Sequence, residues 1–222
     1  MSALCLDAMS TDTIIFDFDG TIANTFDRLR VIYNQIAPFF RCKQVSKEEQ
    51  IRLKSCMPFE VMKECRVTFF KIPWMLLVAR RKLYKEMEEV EPINEIVHAL
   101  KELKHQGYTL GIMTSNSKKN VSMFLSRNGL KGIFCFISAH RSVFGKDKVI
   151  ARLLKKRNIQ KEKAVYIGDE VRDIEAAKRL DLKVVAVSWG FSSRENLEKL
   201  SPDAIVDHPD HLLSFFSRSS KD

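Results

Sequence analysis

The stretch that decides the fold is Ile14-Ile15-Phe16-Asp17-Phe18-Asp19-Gly20-Thr21-Ile22. Its uninterrupted β-branched and aromatic residues predict a strand over Thr13–Asp17 that enters a core. Asp17 and Asp19 lie two positions apart, and residues at that spacing on an extended chain point to the same side. Two carboxylates on one side are costly to bury as ions unless a positive group lies between them.

This acidic stretch allows two interpretations. Asp-Gly is common turn chemistry, so Asp19-Gly20 would be explained by an acidic turn that closes an exposed hairpin. Alternatively, one short loop holds a nucleophile, a proton-transfer partner and a metal ligand. The pattern of the remaining chain has to distinguish the two.

The size and composition of the chain indicate a globular protein. A chain of 222 residues is long enough for one or two domains with a real core, and no apolar run approaches a membrane span, so we expect no membrane partner. Met1–Ser10 has no basic start and contains Asp7, so it does not resemble a signal peptide. Five scattered cysteines without a C-x-x-C pair favour reduced thiols in a cytoplasmic protein over disulfides or a zinc ribbon.

The net charge of +9 is compatible with nucleic acid, an acidic membrane or an anionic small substrate as the partner. Residues 24–90 contain 14 Lys and Arg against 8 Asp and Glu, so this segment carries a surplus of six. A basic, solvated exterior explains most of these side chains. Because the chain has no recognised DNA-binding motif and no basic repeat interleaved with aromatic residues, we expect no nucleic-acid partner.

Helical spacing replaces the strand pattern between residues 24 and 90, and three prolines divide this segment into three or four helices. We therefore predict an all-helical domain over residues 24–90, inserted into a core made of residues 1–23 and 91–222. The bulky aromatic residues of the insert are expected to form its own core, with contact to a substrate from the edge of the insert as the alternative: Phe39, Phe40, Phe69, Phe70 and Trp74.

Strands and helices alternate after the insert, which predicts a doubly wound, Rossmann-like parallel sheet of the α/β class. The predicted strands are Thr109–Thr114, Ile133–Ser138, Ala164–Ile167, Lys183–Val187 and Ala204–Val206. The predicted helices run from Pro92 to Gly107, and over Val121–Asn128, Val149–Arg157 and Ile174–Leu180. Ligands bind beyond the carboxyl ends of such strands, and polar residues recur there: Asp17 and Asp19, Thr114 and Ser115, and Asp169.

These strand ends suggest phosphate chemistry. Three converging carboxylates would repel one another, and Mg²⁺ relieves this because it binds a few carboxylates together with water and a phosphate oxygen. Thr114, backbone N–H groups at the following helix start, and Lys146 would bind the other phosphate oxygens. One carboxylate can attack phosphorus, while a second protonates the leaving oxygen and later deprotonates water.

Four motifs resemble, in order and over nearly the whole chain, those of the haloacid dehalogenase-like hydrolases: Asp17-Phe18-Asp19-Gly20-Thr21, Thr114-Ser115-Asn116, Lys146, and Gly168-Asp169 with Asp173. The resemblance implies that Asp17 is the nucleophile and Asp19 the general acid and base. It also implies Mg²⁺ bound by Asp17, the backbone carbonyl of Asp19, and Asp169, with Asp173 in support. Members that attack carbon–halogen bonds lack the second aspartate, so Asp19 favours phosphate chemistry.

Some assignments within these motifs have alternatives. The spacing to the fourth motif favours Lys146 over Lys148, although Asp147 stands where the family often has proline. Asp173 also fits a first-turn helix carboxylate, and Thr114 fits a helix cap. Two charged neighbours are expected to pair with surrounding groups or solvent: Glu170 and Arg172.

The layout resembles the phosphoglycolate-phosphatase-like branch, with the insert placed like the family's helical cap. This implies a Mg²⁺-dependent phosphatase for a small phosphorylated metabolite, acting as a monomer or homodimer. One alternative is a phosphoglucomutase-like phosphotransferase, which would require a bisphosphate activator. The other is a non-enzymatic protein whose basic insert binds nucleic acid or an acidic partner, with salt-sensitive binding and no turnover.

Overall fold

The computed structural model describes residues 11–140 and 145–216. Within these residues, six strands form one parallel sheet in the order β3-β2-β1-β4-β5-β6. The strands are β1 (Thr13–Phe16), β2 (Thr109–Thr114), β3 (Phe134–Ala139), β4 (Ala164–Gly168), β5 (Lys183–Val187) and β6 (Ala204–Val206). The predicted doubly wound α/β sheet is confirmed, and β1 lies at its centre between β2 and β4.

The helices of the described chain fall into two groups. Those of the segment between residues 24 and 90 are α1 (Phe26–Ile36), α2 (Lys47–Leu53), α3 (Pro58–Glu64) and α4 (Ile72–Glu86). Those that follow are α5 (Ile96–His105), α6 (Lys118–Arg127), α7 (Lys146–Arg157), α8 (Val171–Lys178), α9 (Arg194–Glu198) and α10 (His211–Phe215). None of the helices in the described residues has the length and apolar character needed to span a bilayer.

The central strand β1 is buried on both sides. Ile14 and Phe16 belong to one apolar cluster and Ile15 to the other, and all three side chains have no exposed surface. Alternate residues of a strand face opposite sides of its sheet, so helices must cover both faces. This explains why the strand reads as a continuous apolar run.

The chain leaves the sheet for the helical insert and returns to it at adjacent points. The backbone N–H of Asn24 donates to the carbonyl of Glu91 at 2.9 Å, and Ala23 forms an antiparallel bridge with Pro92. An ion pair of 3.3 Å between Arg28 and Glu86 joins α1 to α4. The bounds 24–90 of a separate domain agree with this connection and stay a prediction.

The prediction that the aromatic residues of the insert form its core is wrong. Phe39 and Phe70 are each 85% exposed, Trp74 is 66% exposed, and Phe69 is 54% exposed. Three of these residues lie in short 3-10 turns next to α1 and α4, where the chain connects helices at the surface. Aliphatic and methionine side chains are buried in the insert instead, including Ile32, Ile36, Met75 and Leu83.

Three helices begin three residues before their predicted starts: α6 at Lys118, α7 at Lys146 and α8 at Val171. Apolar periodicity marks the first buried turn, whereas the preceding turn is polar because its free N–H groups need acceptors. Ser117, for example, accepts a hydrogen bond from the N–H of Asn120 at 3.1 Å. Several residues of the predicted site lie in these polar first turns.

The described cysteines are free thiols: Cys42, Cys56, Cys65 and Cys135. This agrees with the expectation of reduced cysteines. Cys5 lies outside the described residues.

Candidate active site

Asp17 directly follows β1 and is held at the carboxyl edge of the sheet. Its N–H donates to the carbonyl of Ile167 at 2.8 Å, which extends the contact between β1 and β4. Its side chain is almost fully buried, with Oδ1 accepting from the N–H of Phe18 at 2.8 Å and Oδ2 from Lys146 Nζ at 2.8 Å. Both carboxylate oxygens are therefore oriented by the protein.

Lys146 is the first residue of α7, and its buried ammonium contacts both Asp17 and Asp173. Burial lowers the pKa of Lys146, but the two carboxylates outweigh this effect and hold its pKa well above the usual range. Lys148, the rival candidate, is exposed. The structure therefore places Lys146 in the site and leaves Lys148 outside it.

Asp169 lies at the end of β4 and has no exposed surface. Its Oδ1 accepts from Thr21 Oγ1 at 2.6 Å, and its Oδ2 accepts from the N–H of Phe191 at 2.7 Å. Burial, together with the neighbouring carboxylates of Glu170, Asp173 and Asp17, raises the pKa of Asp169 well above its usual value. Thr21 thus acts through Asp169, which it orients.

Gly20 brings the loop after β1 against Asp169. Its φ is +81°, and a Cβ at this position would lie 2.4 Å from Asp169 Oδ2 and 2.4 Å from the ring of Phe191. Both the backbone conformation and the close approach therefore require glycine.

Asp173 lies in the first turn of α8, as one of its two interpretations predicted, and it also reaches the site lysine. Its Oδ2 accepts from the N–H of Glu170 at 3.0 Å, which caps the start of α8, while its Oδ1 contacts Lys146. Burial raises the pKa of Asp173 to about 6, although Lys146 opposes this shift. Glu170 forms an ion pair with Arg172, as predicted.

Asp17, Asp169 and Asp173 form a buried acidic cluster whose ligand oxygens all lie within 4.8 Å of one another. When all three carboxyl groups are ionised, the ammonium of Lys146 leaves two negative charges in excess. A buried excess of this size is costly, and an oxygen-rich site with two excess charges suits a hard divalent cation such as Mg²⁺. The residues present therefore fit the metal that the sequence motifs imply.

Asp19 lies beside this cluster, and its side chain is oriented by Asn116. Asn116 Nδ2 donates to both carboxylate oxygens of Asp19, at 3.1 and 3.2 Å. Burial and the charge of Asp17 raise the pKa of Asp19 to about 7, against the opposing effect of the Asn116 hydrogen bond. A carboxyl group with this pKa can hold or release a proton near neutral pH.

Thr114 and Ser115 lie at the end of β2, next to Asp19. Thr114 is fully buried, and its Oγ1 accepts from the N–H of Asn116 at 2.9 Å, while Ser115 is half-buried. Asn116 belongs to the second motif, but sequence reasoning did not identify it as a site residue. Its position could have indicated this role, because the amide comes just after a strand end that faces the acidic loop.

Arg80 connects the helical insert to the second motif. It lies on α4 and donates to the backbone carbonyl of Ser115 and, at 2.9 Å, to that of His140. Nothing in the local pattern of α4 distinguishes Arg80 from neighbouring surface cations, so sequence reasoning missed it. The ring of Tyr166 on β4, 5.2 Å from Lys146 Nζ, was missed because it belongs to an ordinary buried strand.

A cavity of about 280 Å³ lies between the sheet and the insert at this site. Asp19, Asn116 and Glu170 line it from the sheet side, and Leu76 and Arg80 line it from α4. The insert therefore covers the carboxyl edge of β1, which restricts the access of water.

Glu95, His208 and Asp210 form a second group of potential metal ligands at the surface. His208 Nε2 lies 2.7 Å from Glu95, and both carboxylates are exposed. An exposed ion pair explains this group without a metal.

Comparison with known proteins agrees with the motifs. The sequence profile of the haloacid dehalogenase-like hydrolase family matches residues 14–187. The phosphoglycolate phosphatase of Synechococcus elongatus is 30% identical over 200 residues, which cover 90% of this chain and 94% of that protein. The pyrophosphatase PpaX of Bacillus mycoides is 27% identical over 219 residues, which cover 95% of this chain and 99% of that protein.

Solved structures share the fold. A haloacid dehalogenase-like family hydrolase from Streptococcus pneumoniae superimposes with a TM-score of 0.77 at 23% identity, over 94% of this chain and 100% of that one. The family profile covers most of the chain. The acidic loop, the lysine and the second acidic motif lie together at one edge of the sheet. The chain therefore belongs to the haloacid dehalogenase-like hydrolases.

Proposed function

We propose that this protein is a Mg²⁺-dependent phosphatase that hydrolyses a small phosphorylated metabolite through an aspartyl-phosphate intermediate. The observation that carries the proposal is the meeting of Asp17, Asp169 and Asp173 with Lys146, beside an Asp19 side chain held by Asn116. In this proposal Asp17 is the nucleophile, Asp19 is the acid and base, and the acidic cluster holds a divalent cation next to the cavity that Asp19 lines.

In the first step, a carboxylate oxygen of Asp17 attacks the phosphorus atom of the substrate. The bond between phosphorus and the leaving oxygen breaks, and Asp19 gives its proton to that oxygen, so the alcohol departs neutral. The raised pKa of Asp19, about 7, supports this role because it keeps a proton available near neutral pH.

In the second step, water attacks the phosphorus atom of the aspartyl-phosphate. Asp19, now ionised, takes a proton from that water, and the bond between phosphorus and the Asp17 oxygen breaks. Inorganic phosphate leaves, Asp17 is restored as a carboxylate, and Asp19 is again protonated. Lys146 supports both steps, because its ammonium orients Asp17 and offsets the negative charge that gathers there.

Mg²⁺ would be held by Asp17, Asp169 and the backbone carbonyl of Asp19, with Asp173 in support. When bound, it would supply positive charge that shields the phosphoryl oxygens from the carboxylates. Thr114 and Ser115 are proposed to contact the phosphoryl group from the end of β2.

The phosphoglycolate phosphatase among the relatives makes phosphoglycolate an early substrate to test, and the pyrophosphatase relatives add pyrophosphate. We further propose a cytoplasmic location, which the free thiols support.

The test is hydrolysis of para-nitrophenyl phosphate with and without Mg²⁺, by the native protein and by Asp17→Asn. We expect turnover that requires the metal and disappears in the variant. A panel of phosphoglycolate, pyrophosphate and sugar phosphates, with and without a bisphosphate activator, then separates hydrolysis from phosphotransfer. Failure of the folded protein to release phosphate from any of these compounds in the presence of Mg²⁺ would contradict the proposal.

A further inference from the structure

We propose that the helical insert contains a chamber that binds the organic tail of the substrate, so that the preferred substrates are phosphate monoesters with an apolar group. This inference rests on the proposed phosphatase function and names the substrate class for the same site. It does not follow from the names of the relatives, since phosphoglycolate and pyrophosphate have no apolar tail.

The chamber lies largely within the insert, and residues 170–171 and 191–192 of the sheet domain close one side of it. Its volume is about 370 Å³, within the range of about 300–1,000 Å³ that is usual for small-molecule sites. Its wall is formed mainly by apolar side chains of the insert, including Val45, Leu53, Val61, Met62 and Val67. A space of this size and character is suited to a hydrocarbon or aromatic group.

Three polar side chains of the insert in the wall, those of Arg30, Tyr33 and Gln50, bond to other protein groups. Arg30 Nε donates to Gln50 Oε1 at 3.0 Å, and Gln50 Nε2 donates to the carbonyl of Phe26 at 2.7 Å. The hydroxyl of Tyr33 donates to the carbonyl of Lys43 at 2.7 Å. Water needs two to four polar partners to be held in a cavity, so these satisfied groups favour an apolar occupant.

The chamber adjoins the catalytic cavity. Leu29, Glu170 and Phe191 line both spaces. Phe191 also donates its N–H to Asp169, so the shared wall reaches the acidic cluster directly. A substrate with its phosphoryl group at Asp17 can therefore extend past Phe191 into the chamber.

Lys54 adds an ammonium group to the chamber wall. It lines the chamber, its Nζ lies 4.6 Å from the centroid of the Phe26 ring, and no carboxylate in the described residues pairs with it. Its carbonyl accepts from the N–H of Ser193 at 2.9 Å, which fixes the end of α2 against the sheet domain. An ammonium in this wall disfavours cationic tails.

The first experiment measures kcat/KM with Mg²⁺ for methyl, butyl, hexyl and octyl phosphate. We expect kcat/KM to rise roughly threefold for each methylene that enters the chamber, mainly through a lower KM. Binding of methyl- and octylphosphonate, followed by calorimetry, gives a readout that needs no turnover. The chamber proposal would be overturned if para-nitrophenyl phosphate is hydrolysed but neither the rates of the alkyl phosphates nor the binding of the phosphonates depends on chain length. The phosphatase function would stand in that case.

The variants place the effect in the chamber. Val61→Phe reduces the free space in the chamber, so we expect it to lower the ratio of kcat/KM for octyl phosphate to kcat/KM for methyl phosphate. Val31→Phe makes the same change at an exposed position of α1 and should leave that ratio unchanged. Met62→Ala enlarges the chamber and should lengthen the best chain, which keeps the test valid if Val61→Phe does not fold. Equal ratios in all folded variants would refute the proposal.

The calorimetric result also separates the two proposals. If no ester is hydrolysed but octylphosphonate binds more tightly than methylphosphonate and Val61→Phe removes the difference, the phosphatase function fails and the chamber stands. If esters are hydrolysed but the two phosphonates bind equally, the phosphatase function stands and the chamber fails.

Discussion

Lys146 Nζ donates to Asp17 Oδ2 at 2.8 Å, although the two residues lie 129 positions apart in the chain. Asp17 follows the central strand β1, and Lys146 begins α7. Parallel strands place their carboxyl ends at one edge, so residues from distant parts of the sequence meet there. The same ammonium also contacts Asp173, and it is the cation that the buried acidic cluster shares.

Replacing Lys146 by Met should affect both activity and stability. Removing the ammonium leaves Asp17 and Asp173 without their buried partner, so we expect the metal-free protein to lose about 3 kcal/mol in free energy of unfolding. We also expect kcat/KM to fall by about 100-fold or more, because preorganised charge at the reacting centre is lost. Urea denaturation and phosphatase assays measure the two effects.

Lys148→Met is the matched control, since this lysine is exposed two positions later in the same helix. Its free energy of unfolding should change by less than about 0.5 kcal/mol. Similar losses in both variants would show that the assignment of Lys146 is wrong.

The stability of the metal-free protein should fall as the pH rises from about 4 to about 7. Burial raises the folded-state pKa of Asp19 to about 7 and of Asp173 to about 6, whereas an unfolded aspartate has a pKa of about 3.9. Between these values the folded state binds more protons than the unfolded state, so each rise in pH favours unfolding.

Mg²⁺ should remove this penalty, because it binds the ionised carboxylates that protons otherwise neutralise. We therefore expect saturating Mg²⁺ to raise Tm more near pH 7.5 than near pH 5, as measured by differential scanning calorimetry. Asp169→Asn, which removes one acidic ligand, should reduce the effect. An equal rise in Tm at both pH values would argue against a metal bound at this cluster.

The sequence predicted the sheet closely because burial on both faces leaves a strong local signal. The predicted bounds of Thr109–Thr114, Lys183–Val187 and Ala204–Val206 agree with those of β2, β5 and β6. Continuous runs of apolar, largely β-branched residues between polar turns are typical of such strands. The predicted strands in turn located the polar motif residues at their carboxyl ends.

Contacts between the insert and the sheet left no comparable signal. Arg80 reaches Ser115 only because α4 packs beside α6, next to the segment that follows β2, and a single sequence does not show which exposed-looking cation has a partner in another element. The prediction that the aromatic residues form the core of the insert was wrong for the opposite reason, because their local signal was misleading. Phe70 and Trp74 have core-like chemistry, but Phe70 lies in a connecting turn and Trp74 on an outer face of α4, and only tertiary packing determines that both are exposed.

Gly20→Ala should disrupt the site more than an equivalent change elsewhere. A non-glycine residue at positive φ costs about 1–2 kcal/mol, and the added Cβ would also overlap Asp169 and the ring of Phe191, for about 1–3 kcal/mol more. Displacement of Asp169 should weaken Mg²⁺ binding. Chemical denaturation and calorimetric titration with Mg²⁺ measure the two effects.

Gly107→Ala provides the control, since Gly107 has a φ of +88° and no atom within 4 Å of its added Cβ. It should show the backbone cost alone and normal binding of Mg²⁺. If the two variants lose the same stability and both retain metal binding, the close approach at Gly20 has no role in the site.

Asn116→Ala should reduce catalysis and also lower the free energy of unfolding by about 1–3 kcal/mol, because its buried Oδ1 accepts from the N–H of Ser117 at 2.7 Å and from Asn120 Nδ2 at 2.8 Å. The amide donates to both oxygens of Asp19 and so fixes the group proposed to carry the proton. We expect kcat to fall by about 10- to 100-fold, the usual cost of removing such an orienting partner.

Asn128→Ala is the control, because the side chain of Asn128 lies at the end of α6 and donates to the carbonyl of Phe124 at 2.9 Å. Steady-state assays of folded variants, with Tm measured in parallel, provide the test. A kcat for Asn116→Ala equal to that of Asn128→Ala would mean that Asp19 does not depend on this amide for its position.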